Sequence, residues 1–338
     1  MWGGNSCQGA FMDGKLAISI EKLAKHYGKV KAVDGISLAV RQGEVFALLG
    51  PNGAGKTTTI AMLCGLLAPT AGRASVAGFD VARERLSVRK SIGVVFQQPS
   101  VDDLLSGREN LRMHALLYGI APSGVEKRIG EMLAIVGLTG RADSLVREYS
   151  GGMRRRLEIA RGLMHRPAVL FLDEPTTGLD PQSRQHIWEH IRQTSRREGN
   201  TVIFTTHYLE EAEKFADRVA IIDRGKIMAI GTPKELVGTL GGDELVFATK
   251  KPKELAAALR KSGVVKNVKA SGKLVRANIM SPQKNLPKLL RRLPEVESME
   301  IRPATLNEVF IQKTGREIRQ DAAEGSFWQR IMDNSTSR

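Results

Sequence analysis

The chain has 338 residues, of which 42% are hydrophobic, and this composition argues against a disordered polypeptide because it can bury one large core and a smaller one. Its 51 lysines and arginines against 36 acidic residues give a net charge of +15, which favours a nucleotide, a nucleic acid or an anionic membrane face as partner. Two cysteines argue against a disulfide framework, and no apolar stretch reaches the roughly 20 residues that span a bilayer.

The N-terminal part of the chain predicts a sheet followed by the start of an α/β unit. Residues 1–15 lack the basic start and apolar run of a signal peptide, so we expect no signal peptide, and we predict that they form a flexible N-terminus. Short alternating apolar runs from Leu16 predict a small antiparallel sheet. Residues 43–50 are continuously apolar, which is typical of a strand buried on both faces, and a glycine-rich turn then leads into a helical pattern.

Four further apolar runs predict buried strands separated by helical patterns: residues 92–96, 168–173, 201–206 and 218–223. This alternation predicts an α/β domain with a mostly parallel sheet, and we place it at residues 16–240. Within it, residues 101–150 have apolar side chains at helical spacing and no strand pattern, so they predict a helical subdomain.

The C-terminal part predicts a second, smaller domain. Glycines between Leu236 and Glu244 indicate a boundary, and the patterns over residues 243–316 run strand, helix, strand, strand, helix, strand. That order is typical of a ferredoxin-like α+β fold, which could dock a partner, stabilise a dimer or sense a ligand. We predict a flexible tail at residues 317–338, with its segment FWQRIM as an alternative docking element.

The segment GPNGAGKTT matches a phosphate-binding loop. Its glycines let backbone N–H groups turn toward phosphates, and the helix that follows adds the positive end of its dipole. Lys56 would neutralise charge on the β- and γ-phosphates, and the Thr57 hydroxyl would ligate Mg²⁺. The flanking strand and helix argue against a chance glycine-rich turn. The predicted nucleotide-binding residues here are Gly50, Pro51, Asn52, Gly53, Ala54, Gly55, Lys56, Thr57 and Thr58.

The segment AVLFLDEP places two acids at the end of a predicted buried strand. Asp173 would hold Mg²⁺ directly or through water, and Glu174 would polarise the attacking water as general base. Adjacent acids at a strand end can also cap the next helix, but the phosphate-binding loop favours the catalytic interpretation.

With these motifs in this order, residues 16–240 resemble the nucleotide-binding subunit of an ATP-binding cassette (ABC) transporter. The resemblance implies that Gln97 of FQQ senses Mg²⁺ and the lytic water, and that its loop meets the transmembrane subunit. It implies that Asp180 of TGLD lies in a loop crossing to an opposing subunit, and that His207 contacts the γ-phosphate. It also implies that the ring of Tyr27 stacks on adenine, although an aromatic residue in a small sheet is often part of the core.

Ser150, Gly151 and Gly152 of the segment YSGGMRRR match the family's turn that closes over the γ-phosphate bound to the opposing subunit. The resemblance therefore implies a head-to-tail dimer with two ATP molecules between the subunits, formed with a second copy or a paralogue; we predict a homodimer. Met153 stands where the common family pattern has glutamine, and a thioether cannot donate a hydrogen bond. Residues 154–156, all arginine, either strengthen the field at the helix start or form a solvated charge run.

Three segments are similar to daunorubicin-resistance ATPase subunits that serve ABC-2 exporters: SIGVVFQQPSVDDLLSGRENL, YSGGMRRRLEIARGLMHRPAVLFLDEPTTGLDP and TLNEVFIQKTGREIR. This similarity implies an ATP hydrolase, with ATP and Mg²⁺ as its ligands, that powers export of a hydrophobic drug, lipid or glycolipid. The cargo would pass through a separate polytopic ABC-2 membrane subunit, to which this chain would bind at the cytoplasmic face of the cell membrane.

Other interpretations stay open. An importer subunit is the alternative within the family, and a soluble ABC ATPase acting on ribosomes or DNA is the alternative outside transport. The single cassette and the lack of a long coiled-coil insertion disfavour the soluble class, so we do not expect nucleic acid as a partner. A catalytically silent cassette is disfavoured because Lys56, Asp173, Glu174 and His207 are all present.

Overall fold

A computed structural model of the protein describes residues 15–317, except residues 99, 292 and 295. The predicted flexible N-terminus, apart from residue 15, and the predicted tail, apart from residue 317, lie outside the described residues. The described chain divides into two units, one formed by residues 15–207 and 222–227 and the other by residues 208–221 and 228–317.

The first unit has the predicted alternation of strands and helices. Its elements up to residue 207 are β1 (Leu16–Tyr27), β2 (Val30–Arg41), β3 (Val45–Leu49), α1 (Lys56–Leu63), β4 (Ala71–Val76), β5 (Phe79–Asp80), α2 (Arg85–Ser91), β6 (Ile92–Val95), α3 (Gly107–Leu117), α4 (Pro122–Ile135), α5 (Gly151–Leu163), β7 (Val169–Asp173), α6 (Pro181–Glu198) and β8 (Thr201–Thr206). Helices α3 and α4 and two short 3-10 turns, Thr139–Arg141 and Val146–Glu148, occupy the region predicted to be helical.

Two sheets organise this unit. The small sheet has the order β2-β1-β4-β5 and antiparallel pairing, and β1 and β2 form a hairpin in which Tyr27 lies opposite Val30. In the large sheet β3, β8, β7 and β6 are neighbours and parallel, with Val45 opposite Val202 and Val169 opposite Thr201. Residues 222–223 and 226–227, at the ends of two further strands of this sheet, belong to the same unit.

The parallel strands form the centre of the core. Every residue of β3, β7 and β8 is buried, as expected for strands covered on both faces. The indole of Trp188 on α6 packs against the ring of Phe204 with a centroid distance of 4.3 Å. Because parallel strands end at the same edge of a sheet, the residues after β3, β6, β7 and β8 lie along one edge, and this edge carries the candidate site.

The second unit contains the predicted ferredoxin-like fold. The remaining elements are α7 (Leu209–Phe215), β9 (Arg218–Asp223), β10 (Lys226–Gly231), α8 (Pro233–Gly238), β11 (Asp243–Ala248), α9 (Pro252–Lys261), β12 (Val265–Ser271), β13 (Leu274–Ile279), α10 (Pro282–Leu290), β14 (Ser298–Arg302) and α11 (Leu306–Thr314). The strand order β12-β13-β11-β14, all antiparallel, confirms the fold predicted from the element order. The domain limits at residues 240 and 243 stay a prediction.

The core of this small fold lies between one face of its sheet and helices α9 and α10. Leu245 and Phe247 of β11, Val275 of β13 and Leu255 and Leu259 of α9 are fully buried in it. Within the same unit, α11 packs against α7 and α8.

Between residues 15 and 317, the helices that the structure describes are all too short or too polar to cross a membrane.

Candidate nucleotide-binding and hydrolysis site

The loop between β3 and α1 needs glycine at two positions for steric reasons. A Cβ on Gly50 would lie 2.3 Å from the backbone oxygen of Ile222. Gly55 has a φ of 105°, and a Cβ there would lie 2.4 Å from the backbone oxygen of Ala32. Both distances are far below a van der Waals contact, so only glycine allows this loop to turn into α1.

We expect Gly55→Ala to destabilise the folded chain more than Gly53→Ala. Both glycines have a positive φ, 105° at Gly55 and 77° at Gly53, so alanine costs about 1 to 2 kcal/mol at either position. A Cβ at Gly53 meets nothing within 4 Å, whereas at Gly55 it also meets backbone. Urea unfolding should therefore show an additional loss of about 1 kcal/mol or more for Gly55→Ala. Equal losses would show that the clash with Ala32 is not important.

Lys56 begins α1, and its ammonium group links the loop to the end of β7. The residue is only 5% exposed. Its Nζ donates to the carbonyl oxygens of Gly50 (2.8 Å) and Pro51 (3.1 Å), and it lies 3.2 Å from Oε1 of Glu174. Burial lowers the pKa of Lys56, while the carboxylates of Glu174 and Asp173 oppose that shift.

Asp173, the last residue of β7, is surrounded by oxygen atoms. It is 1% exposed, and its Oδ1 accepts hydrogen bonds from the hydroxyls of Thr205 (2.6 Å) and Thr57 (3.3 Å). Burial raises the pKa of Asp173, and the hydrogen bond from Thr205 acts in the opposite direction. Thr205, at the end of β8, was not predicted as a site residue from the sequence. The two adjacent threonines that end the apolar strand TVIFTT could have indicated a polar contact at this position.

The carboxylate of Glu174 lies between two nitrogen-bearing side chains. Its Oε1 is 3.2 Å from Nζ of Lys56 and 3.2 Å from Nδ1 of His207, and its Oε2 accepts a hydrogen bond from Thr177 (3.2 Å). Burial alone would raise the pKa of Glu174, but the hydrogen bond with His207 and the charge of Lys56 lower this pKa to about 2. Glu174 is therefore an ionised carboxylate at neutral pH.

The backbone of Glu174 is also unusual. Its φ is 47°, in the left-handed region that residues other than glycine rarely adopt, and its N–H donates to the hydroxyl of Thr205 (3.0 Å). Glu174 therefore depends on its neighbours for its backbone conformation as well as for its charge.

The structure brings five of the predicted site residues into one buried group at the carboxyl edge of the sheet: Lys56, Thr57, Asp173, Glu174 and His207. Gln97 follows β6, the neighbour of β7, and its side chain is exposed. Pro51, Asn52, Ala54 and Thr58 lie in the loop and the first turn of α1 beside this group.

The other predicted site residues lie outside that buried group, and all of them are exposed except the half-buried Gly152. Tyr27 ends β1, is 40% exposed, and has Nζ of Lys25 5.3 Å from its ring centroid. Asp180 begins α6 as its N-cap and accepts from the N–H of Ser183 (2.9 Å). Ser150 begins α5 in the same way, accepting from the N–H of Met153 (3.3 Å), and Gly151 and Gly152 form the first turn of that helix.

The arginine run at residues 154–156 is not a solvated charge run, and its effect on the field at the start of α5 stays a prediction. Arg154 pairs with Asp103 at 2.9 Å, Arg155 is buried, and Arg156 donates to the carbonyl oxygen of Val136 (2.9 Å). The sequence interpretation missed Arg155, although it shares a helical face with the buried residues Ile159 and Gly162 at spacings of four and seven.

Comparison with known proteins places the chain in a family. Residues 33–177 match the ABC transporter family. A daunorubicin resistance ATP-binding protein of Streptomyces coeruleorubidus is 42% identical over 306 residues, which are 88% of this chain and 96% of that protein. Nod factor export ATP-binding protein I of Ralstonia nicotianae is 41% identical over 311 residues, 89% of this chain and 95% of that protein.

A solved structure extends the comparison to a dimer. A dimeric ATP-binding cassette in a post-hydrolysis state, bound to ADP and phosphate, is 25% identical and has a TM-score of 0.58. The likeness covers 64% of this chain and 98% of that chain.

The parallel sheet with its phosphate-binding loop defines a P-loop nucleotide-binding protein. The chain belongs to the ATP-binding subunits of ABC transporters. It therefore binds ATP and ADP and hydrolyses ATP.

Proposed function

We propose that this chain powers the export of a hydrophobic drug, lipid or glycolipid through a separate membrane subunit at the cytoplasmic face of the cell membrane. The observation that carries the proposal is the buried group in which the Glu174 carboxylate lies 3.2 Å from Lys56 and 3.2 Å from His207, an arrangement that could support ATP hydrolysis. The outward direction is supported by the two relatives, which are named for resistance to daunorubicin and for export of Nod factor.

The loop over residues 50–58 would hold the phosphates with backbone N–H groups, and Lys56 would neutralise charge on the β- and γ-phosphates. Thr57, Asp173 and Gln97 would hold Mg²⁺, which when bound neutralises charge on phosphate oxygens. The oxygen donors fit, because the Thr57 hydroxyl and Oδ1 of Asp173 are 3.3 Å apart. Mg²⁺ commonly takes only one or two protein ligands beside phosphate and water, so these few residues suffice.

Glu174 would act as the general base, His207 would contact the γ-phosphate, and Gln97 would orient the lytic water. A carboxylate with a pKa of about 2 is a weak base near neutral pH. The two groups that lower this pKa, Lys56 and His207, are the ones we assign to phosphate. Their attraction to the γ-phosphate would weaken their hold on Glu174, so the base would strengthen when ATP is bound.

Ser150, Gly151, Gly152 and Asp180 would complete the ATP site of an opposing subunit, most simply a second copy of this chain. Their exposed positions at the starts of α5 and α6 support this role, since the N–H groups of a helix start attract anions. The solved dimeric relative bound to ADP and phosphate supports the same assembly. The exposed ring of Tyr27 would stack on adenine.

The membrane subunit, of the ABC-2 type, would dock on an apolar surface around α3. Leu116 and Leu117, adjacent at the end of α3, are 65% and 75% exposed, and Leu104, before the start of α3, is 72% exposed. Exposed apolar patches often mark sites where a partner binds. Tyr118, the residue after Leu117, lines a cleft of about 230 Å³ whose lining also includes Phe96, the residue before Gln97. A partner on this surface would thus contact the Gln97 loop directly.

The cleft also offers two polar atoms to such a partner. Nε2 of His114 and Nδ1 of His165 are buried in its lining with no hydrogen-bond partner among residues 15–317. Burial, together with the charge of Arg161, lowers the pKa of His114 to about 3, and burial lowers that of His165, so both rings are neutral at physiological pH. A side chain with a hydroxyl or amide group would satisfy them without burying a charge.

We expect the double variant Leu116→Ser, Leu117→Ser to lose its membrane partner but keep its own ATP hydrolysis. The two side chains would lose apolar contact area with the partner, and hydrolysis should be unchanged because neither leucine is among the contacts of the buried group around Glu174. The amount of a co-expressed polytopic subunit that co-purifies should fall by about tenfold or more, because losing about 1.4 kcal/mol of binding free energy lowers the affinity tenfold. Leu290→Ser, at a leucine 43% exposed in the second unit, is the matched control.

Recovery of the wild-type chain with ribosomes or DNA in place of a membrane subunit would contradict the transport proposal. Direction is tested with a fluorescent anthracycline in cells that express both subunits. An exporter lowers the cellular anthracycline level relative to the Glu174→Gln variant, and an importer raises it.

A further inference from the structure

Arg155, in the second turn of α5, is a buried cation whose donors are all used. The residue is 8% exposed. Its Nε donates to the carbonyl oxygen of Pro175 (2.7 Å), and its Nη2 donates to those of Asp173 (3.1 Å) and Glu174 (3.3 Å). Its Nη1 donates to the carbonyl oxygen of Phe96 (2.5 Å) and to Oε2 of Glu158 (2.8 Å). The five N–H groups of the guanidinium thus meet five oxygen atoms.

Glu158, one turn further along α5, extends this network to the other side of the Gln97 loop. It is 2% exposed, and its Oε1 accepts a hydrogen bond from the N–H of Ser100 (2.7 Å). The arginine binds the residue before Gln97, and the glutamate binds a residue shortly after it. The pair therefore holds both ends of the segment that carries Gln97.

The same arginine holds the backbone of Glu174. It binds the carbonyl oxygens of residues 173, 174 and 175, that is, those before, at and after the glutamate whose φ is 47°. A residue other than glycine stays in that conformation only when its surroundings fix it, and Arg155 supplies three of the bonds that do so. Moving this guanidinium would change the direction in which the Glu174 carboxylate points.

We propose that Arg155, paired with Glu158, is a positioning residue that orients Glu174 and the Gln97 loop relative to the helix beginning at Ser150. A displacement of α5 would then move both groups together. This inference rests on the proposed role of Glu174 as general base. Lys56 and the loop over residues 50–55 are not among the bonding partners of Arg155, so its loss should slow hydrolysis without weakening ATP binding.

The geometry requires arginine and not simply a positive charge. A lysine has three donors on one nitrogen and cannot bind five oxygens in a planar fork. Arg155→Lys therefore keeps the charge beside Glu158 and removes most of the bonds to residues 173–175.

The test measures steady-state ATP hydrolysis by the purified full chain. Arg155→Lys should lower kcat by about tenfold to a hundredfold, as expected when a catalytic group is displaced by about 1 Å, with the KM for ATP changed less than about threefold. In a Glu174→Gln background the same substitution should lower the residual rate by a smaller factor than in the wild type, because the part of the effect that acts through the Glu174 carboxylate is already lost.

Arg128 provides the matched control. It is 7% exposed and donates to the carbonyl oxygens of Leu163 (2.6 Å) and Met164 (3.0 Å) at the other end of α5, while pairing with Glu198 at 2.7 Å. Arg128→Lys thus removes a comparable buried fork far from the site. We expect a similar fall in Tm for the two lysine variants, with kcat preserved within about threefold in Arg128→Lys.

A second variant covers the case in which Arg155→Lys fails to fold. Glu158→Gln keeps the side-chain shape and should also lower kcat without raising KM. The inference is overturned if the folded Arg155 or Glu158 variant keeps wild-type kcat, if KM rises with kcat unchanged, or if Arg128→Lys loses as much kcat as Arg155→Lys. Normal turnover in Glu174→Gln would overturn the proposed role of Glu174 as general base, on which this inference rests, and this separates the two failures.

Discussion

Replacing Glu174 with glutamine should lower ATP turnover of the purified chain by about a hundredfold to ten-thousandfold, the range that a general base contributes. Glutamine has almost the same shape as glutamate, but its amide cannot take a proton from the attacking water. Binding of ATP should persist, because Lys56 and the loop over residues 50–55 are unchanged. The dimer with bound ATP should therefore accumulate, and size-exclusion chromatography with ATP detects it while phosphate release reports turnover.

Glu189→Gln is the control for this experiment, because Glu189 is exposed on α6 and bonds only locally to Gln185 (2.9 Å). Its turnover should match the wild type. Turnover near the wild-type rate in Glu174→Gln would remove Glu174 from the role of base and point to another group.

Replacing Lys56 with alanine should weaken ATP binding by about tenfold to a hundredfold, since a hydrogen bond to a charged group contributes about 1.5 to 3 kcal/mol. The ammonium group is buried beside the loop and bonded to Gly50 and Pro51, so no solvent cation can replace it. Equilibrium binding of a fluorescent ATP analogue measures the change.

Lys90→Ala is the comparison for this second experiment, because Lys90 is exposed at the end of α2. It should bind the analogue as the wild type does. Unchanged affinity in a folded Lys56→Ala variant would count against the assignment of the phosphate-binding loop.

The strands and the loop were predictable because their sequence signals are local. Strands β3, β7 and β8 are buried on both faces, so each is a continuous apolar run in the sequence. The backbone of Ile222 lies so close to Gly50, and that of Ala32 so close to Gly55, that both positions require glycine. The phosphate-binding loop pattern contains glycine at both positions and was therefore recognisable in the sequence. The ferredoxin-like fold followed from the order of its elements alone.

The contacts that shape the site were not predictable, because they depend on strand order. Glu174 follows β7 and contacts His207, which follows the neighbouring strand β8. It also contacts Lys56, which follows β3 on the other side of β8. Arg155 bonds mainly to backbone carbonyl groups, which every residue possesses, so no pattern of side chains identifies its partners. The left-handed backbone conformation of Glu174 could not be predicted either, because a glutamate in a sequence does not indicate a positive φ.

If Glu174 is the general base, as proposed, that backbone conformation means that folding favours a different residue at position 174 from the one that hydrolysis requires. Glycine would adopt a φ of 47° without the cost of about 1 to 2 kcal/mol that other residues incur, but it would remove the carboxylate. Selection for thermal stability alone would therefore favour replacing Glu174, while selection for cargo transport would retain it. The rest of the domain has to supply the folding free energy that this residue costs. Because folded proteins are only marginally stable, the chain can then accept fewer destabilising substitutions in its core during evolution.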